Sequence, residues 1–283
     1  MKTVRVLALL GLGMLVGVWS CRRKEKNDPT PTVSEEVLQE VAQDNARVEG
    51  EENFLGEAAD EGGEDFSMGR VESTDSVLPA CARRSWDPEQ RLLIIDFGST
   101  NCLGHDGVYR RGKIFIRFSG PSWRRAGSRA YITTQDFFVN DNQHIVEKVL
   151  YHEGLNNVGE RIIRDTVLVH RVITPNGTIE WRANRTYRQI QGQNTPRRVD
   201  DVWLIEGGAQ GTTRRGRPFT TQIVEPLKVV ASCQFRVPIK GIWRLLTDSR
   251  TVTLNYDPYG NEACDRVASL QVNDRPPVNI TLR

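Results

Sequence analysis

From about Leu78 to the C-terminus, short apolar runs are cut by Gly, Pro, Asn or Asp every 8 to 15 residues, and no stretch sustains a 3.6-residue period. Connections that short leave no room for crossover helices, so successive strands must pair antiparallel. The clearest strand is TIEWRANRTYRQI, Thr178 to Ile190. Ile179, Trp181, Ala183 and Tyr187 face one way along it, and Glu180, Arg182, Asn184, Thr186 and Arg188 the other. The same pattern predicts strands at Leu92–Phe97, Ile114–Phe118, Arg129–Val139, Ile145–Tyr151, Ile162–Ile173, Thr220–Val224, Val229–Val237, Ile242–Leu246, Val252–Tyr256 and Val267–Val272. Turn chemistry at Asp106-Gly107, Asn140-Asp141-Asn142, Asn176-Gly177 and Asp257-Pro258-Tyr259-Gly260 joins them. The expected fold over 78–283 is all-β, an antiparallel meander forming a curved sheet, half-barrel or sandwich.

The amino end sets the compartment. A short basic start with Lys2 and Arg5 precedes an uncharged apolar run from Val6 to Trp19 and then Ser20-Cys21. That order is a secretory signal over 1–20, and the run is too short to span a bilayer. Ser20-Cys21 resembles a bacterial lipobox, so Cys21 is the expected lipidation site. Setting Cys21 aside, Cys81, Cys102, Cys233 and Cys264 make an even set in an exported chain, and two disulfides are expected. Position favours Cys81–Cys102 and Cys233–Cys264: the second pair straddles the turn Thr247-Asp248-Ser249-Arg250 symmetrically, and the first needs a loop or bulge near Gly98.

The net charge of +2 conceals a strong asymmetry. Residues 35 to 75 hold fourteen acidic side chains against Arg47 and Arg70, and the chain from 76 onward is net +10. Acidic, Gly-rich composition predicts a mostly disordered tether over 21–77, with one candidate amphipathic helix at 32–48 whose Val37, Leu38, Val41 and Val48 share a face. A basic domain and an acidic tether also raise the option that one docks on the other, or that the domain meets anionic headgroups.

Chemistry-bearing motifs are sparse. Asp96-Phe97-Gly98 at the end of LLIIDFGSTNC matches a kinase triplet and the first phosphate loop of actin-like ATPases, but the partner motifs of both are missing, and nucleotide chemistry is rejected. Asp200-Asp201 beside Arg197 and Arg198 reads as a solvated turn rather than a glycosidase pair. His105, His144, His152 and His170 take no metal-ligand spacing, and His105-Asp106 reads as a turn. No catalytic residue, metal or cofactor is assigned. Trp123-Arg124-Arg125, in a Gly/Pro/Ser loop, is the candidate ligand-binding element, because Arg beside an exposed ring suits anionic glycan. Alternation instead sends Trp181 and Trp243 to the core and Arg182 and Arg244 to water.

IDFGSTNCLGHDGVYRRGKIFI, VNDNQHIVE, GLNNVG, RTYRQIQGQNTPRRVDDVWLI, GTTRRGRPFTTQIVEPL and NYDPYGNEACD, in this order over 80–283, resemble a family of uncharacterised exported lipoproteins of the Bacteroidota. The resemblance implies a lipoprotein anchored in the outer membrane with a β-rich domain, and carries over no catalytic residue. Arg22-Arg23-Lys24 after Cys21 departs from the acidic cluster of many surface-exported lipoproteins, which leaves the periplasmic and surface faces open. Asp75-Ser76-Val77 and Asp165-Thr166-Val167 look like that phylum's O-glycosylation signal, making Ser76 and Thr166 candidates. The functional expectation is a non-catalytic binding or structural domain, its partners the membrane, an acidic polysaccharide or an envelope protein, with no nucleic acid. The alternative is a glycan-active hydrolase with acids dispersed in the chain.

Overall fold

Fourteen strands among the described residues line up almost in chain order, as the short connections require. The computed structural model describes residues 34–67, 76–120, 122–195, 199–233, 237–247 and 250–282. One helix, α1 (Ser34–Ser67), precedes the strands. They are β1 (Arg83–Asp87), β2 (Leu92–Asp96), β3 (Cys102–Leu103), β4 (Tyr109–Phe118), β5 (Arg129–Val139), β6 (Asn142–Leu155), β7 (Arg161–Thr174) and β8 (Gly177–Gln191). The series continues with β9 (Val202–Thr212), β10 (Pro218–Val230), β11 (Lys240–Thr247), β12 (Arg250–Asn255), β13 (Val267–Val272) and β14 (Val278–Thr281). Each strand pairs antiparallel with its neighbour from β1 to β14, while β3 pairs with β4 off the main path. The sheet does not close, so β1 and β14 are its two edges.

Alternation along each strand sends one set of side chains inward. Leu93, Ile95, Ile114, Ile116, Ile132 and Phe137 form one cluster with Phe54, Leu55, Ala58 and Ala59 of α1. Val172, Ile179, Trp181, Phe219, Trp243 and Leu245 form another with Val41 and Val48. The helix therefore runs across the strands, its N-terminal half over β7–β13 and its C-terminal half over β1–β6. At 1.5 Å per residue, 34 residues make a rod about 50 Å long, enough to traverse most of the sheet. Gln43, Arg47, Gly50 and Asn53 form the helix's exposed stripe, and no residue from Phe54 to Gly63 is exposed.

The helix overturns the expected disorder over 49–67. It begins near the candidate helix at 32–48 and continues nineteen residues further, to Ser67. Composition misled because the carboxylates are matched by cations from the strands, and the glycines are positions of close approach. A Cβ on Gly63 would stand 2.6 Å from the Cβ of Trp123. Residues 1–33, with Cys21 and the expected signal, and residues 68–75 lie outside the described residues.

Both disulfides join the expected partners, Cys81–Cys102 and Cys233–Cys264, with Cα separations of 5.9 and 5.4 Å. Around the second, β11 and β12 pair from Thr247 and Arg250 outward, as the turn signal requires. Strands β5 and β13 have the expected bounds. The expected strands Thr220–Val224 and Val229–Val237 are instead one strand, β10, ending at Val230. Strands β1, β3, β9 and β14 were not expected. In β9 the obstacle was Gly207-Gly208 and Gly211, yet a Cβ on Gly207 would sit 2.2 Å from the Asn184 carbonyl oxygen of β8. Glycine there permits the strands to approach rather than ending one.

Candidate functional site

The acidic side chains of α1 meet cations from the strands and from the turn between β9 and β10. Near its N-terminal end, Glu40 lies 3.1 Å from Arg215, and Asp44 accepts the Arg214 backbone N–H at 3.0 Å together with that residue's guanidinium. One turn on, the Trp181 indole N–H donates to Asn45 at 3.0 Å, and Arg185 pairs with Glu49. At 3.6 residues per turn, Glu40 and Asp44 line one flank of the buried Val41–Val48 stripe and Asn45 and Glu49 the other.

The centre of the helix carries the most enclosed charges. Arg110 of β4 donates to both Glu51 oxygens at 2.8–3.1 Å and to Asp106 at 2.8 and 3.0 Å. Lys148 of β6 lies 2.6 Å from Glu52 and 2.8 Å from Asp165 of β7. His170 bonds Glu52 through Nδ1 and His144 through Nε2, the latter at 2.9 Å. Toward the C-terminal end, Asp60 takes the Trp123 indole N–H at 2.7 Å and the Arg161 guanidinium at 3.1–3.2 Å. Glu61 accepts from Ser76, the Val77 backbone N–H and Arg84.

Burial and pairing drive the proton affinities apart. Burial pushes Glu52 up, but Lys148 and His170 outweigh it and hold its carboxyl at about 2. Asp165 shares the same ammonium, yet burial and the Glu52 charge push it to about 6. Burial likewise raises Glu51 against the pull of Arg110. Burial holds His144 well below its ordinary value, with His170 and nearby arginines adding to the shift, and takes His152 down to about 4.

The sequence candidates fare differently. Trp123 is 1 % exposed, lies under Asp60 and packs edge-on against Phe118 and His152, so its ring offers no platform to a ligand. Its indole N–H requires a buried acceptor, which the acidic helix supplies. Arg124 and Arg125 are exposed beside it. The Ser76 hydroxyl is engaged by Glu61, and Thr166 is half-buried in mid-strand next to the ion-paired Asp165. Asp96 accepts the Gly98 N–H in a turn, with Phe97 in the core. Exposed His105 stands next to Asp106, whose carboxylate accepts the Val108 N–H and the Arg110 guanidinium. Asp201 is buried on Gln189, exposed Asp200 takes the Thr195 hydroxyl, and Arg197 and Arg198 lie outside the described residues. As alternation predicts, Trp181 and Trp243 face the core and Arg182 and Arg244 do not.

Sequence reasoning missed Arg110, Lys148, Arg161, Asp165 and Arg185, all buried and charged on strands. The signal was present in Arg185, which shares odd parity with Trp181, Ala183 and Tyr187 and so had to face inward. No group of three or more metal-ligating side chains stands together among the described residues. No protein-family model matches the chain, and no curated protein or solved structure does.

Proposed function

We propose that the chain is an envelope lipoprotein, anchored in the outer membrane by acyl groups on Cys21, whose β domain is a non-catalytic binding module. The observation that carries this reading is the matching of helix carboxylates to cations, Arg215 and Arg214 of the turn between β9 and β10 at one end and the strand residues Arg185, Lys148, Arg110, Arg161 and Arg84 along the rest. A face built this way recognises an acidic helix, and it holds one of its own. Glu52 and Asp165 share one ammonium beneath α1 and are 4 % and 2 % exposed, so a glycan has no route to them. The two disulfides suit an oxidising, extracytoplasmic compartment, and no helix among the described residues is long and apolar enough to cross a membrane.

Acyl-chain labelling in cells, followed by fractionation, tests the anchor. The natural chain should take label and pellet with membranes, and Cys21→Ala should do neither. Labelled, membrane-bound Cys21→Ala would defeat the anchor. A glycan and polyanion array probed with the soluble Cys21→Ala chain tests the rest. Release of new reducing ends from any arrayed glycan would defeat the non-catalytic reading.

A further inference from the structure

The two halves of α1 are held differently. From Phe54 to Gly63 the helix is enclosed, and Phe54, Leu55, Ala58 and Ala59 enter the apolar cluster of β1–β6. Val41 and Val48 are the buried apolar side chains described before residue 54, and the exposed stripe runs along the same half. What fixes that half up to Glu49 is polar recognition by Arg215, Arg214, Trp181 and Arg185, and its last turn is anchored by the enclosed Glu51–Arg110 and Glu52–Lys148 pairs. Paired charges of this kind fix register but add little net stability once desolvation is counted.

The groove under this half also has donors that no described side chain of α1 satisfies. Arg185 Nη1, Arg214 Nε and Trp243 Nε1 are buried and meet no acceptor among the described residues. Arg185 and Trp243 are 7 % and 5 % exposed, and both face the stretch of α1 between Val41 and Glu49. A buried donor without a partner costs free energy that a better-matched occupant recovers.

We infer that the groove beneath residues 34–49 is a docking site for an acidic amphipathic helix of a partner protein, which the N-terminal part of α1, up to Glu49, occupies as a displaceable stand-in while Glu51 and Glu52 stay paired. The fitting ligand is a helix with two small apolar residues seven apart, where Val41 and Val48 sit, and carboxylates at the positions of Asp44 and Glu49. Its further acceptors meet the unpartnered donors. The C-terminal half of α1 stays seated during exchange and keeps the core intact. The inference rests on the β domain being a binding module but not on the lipid anchor, so failure of the labelling test leaves it standing.

The probe is a fluorescent peptide with the sequence of residues 34–49, titrated into the Cys21→Ala chain and followed by anisotropy. Asp44→Ala with Glu49→Ala in the resident helix should tighten peptide binding at least tenfold, and adding Arg185→Ala and Arg214→Ala should abolish it. Equal or absent binding by the first variant, with an unchanged circular dichroism spectrum, would overturn the inference. So would equal binding of a polyglutamate of the same charge, which would mean that the groove reads charge alone. Dimerisation of the first variant in place of peptide binding would make a second copy the occupant and overturn the partner. Should the variants misfold, hydrogen exchange on the unmutated chain decides. Amides 41–49 should exchange at least tenfold faster than amides 54–63, and exchange of the helix as one unit would overturn the inference.

Discussion

The Lys148 ammonium on β6 lies 2.6 Å from the Glu52 carboxylate on α1, and neither side chain is more than 4 % exposed. Asp165 completes the group at 2.8 Å. A buried cation flanked by two carboxylates is far more costly to break than to replace whole. Lys148→Met should lower unfolding stability by about 3–5 kcal/mol, because it leaves two buried carboxylates facing each other. Adding Glu52→Gln and Asp165→Asn should restore about half of that loss or more, since a neutral amide tolerates burial better than an unpaired charge. Urea midpoints of the three proteins at pH 7 measure both effects.

Acid should loosen the protein well before its exposed carboxylates titrate. His152 is held at about 4 against an ordinary 6.5, so the unfolded chain binds its proton first, and the corresponding stability is lost as pH falls from 6.5 to 4. His144 acts in the same sense. Glu52, held at about 2, adds a loss below its ordinary 4.5. Asp165 opposes them: its raised value, about 6, favours the folded state increasingly as pH drops from there to its ordinary 3.8. His152→Phe keeps the ring packing against Trp123 and removes two buried nitrogens that have no hydrogen-bond partner among the described residues. Melting temperatures from pH 7.5 to 4.5 should fall less steeply for this variant than for the natural chain. Parallel curves would show that His152 does not titrate on unfolding.

How much was legible follows from where charge sits in the pleat. Ten of the fourteen strands, the antiparallel order and both disulfides came from alternation, turn residues and cysteine positions, which are local signals. The site is a long-range match between an acidic helix and a basic sheet, and neither half displays it alone. Asp60 and Arg161 stand 101 residues apart, and nothing near either announces the other. The overall asymmetry, an acidic segment before a basic domain, was the visible trace of that match. Reading it as solvated disorder ignored the inward parity of Arg185 among Trp181, Ala183 and Tyr187, and of Lys148 between Val146 and Leu150. Trp123 failed as a ligand platform for a related reason, since its loop folds inward onto Asp60.

The glycines of α1 should separate into two classes on substitution. A Cβ on Gly56 meets nothing within 4 Å, so Gly56→Ala should gain up to about 1 kcal/mol from helix propensity alone. Gly63 has the Trp123 Cβ at 2.6 Å and the Phe118 ring edge at 2.8 Å, so Gly63→Ala should instead cost about 1–3 kcal/mol by overpacking. Gly62 is intermediate, because the Cβ there would meet only the end of the Leu93 side chain, which can rotate. Denaturant midpoints of the three variants should follow that order, and a stabilised Gly63→Ala would mean that the C-terminal half of α1 is not seated as described.

The two disulfides should contribute similarly to global stability but differently to α1. They close loops with sequence separations of 21 and 31, for which chain entropy alone gives about 3–4 kcal/mol each. Replacing either pair by alanine should lower the melting temperature by on the order of 10 °C. Cys81–Cys102 ties the chain just after Val77 and Leu78 to β3, and Val77 donates its N–H to Glu61 on the helix. Its loss should speed amide exchange over residues 54–63. Cys233–Cys264 joins the turn after β10 to the loop between β12 and β13, away from that contact. Removing it should leave exchange in 54–63 unchanged, even where the melting temperatures of the two variants agree. Equal acceleration of exchange by both pairs would show that α1 follows global stability alone.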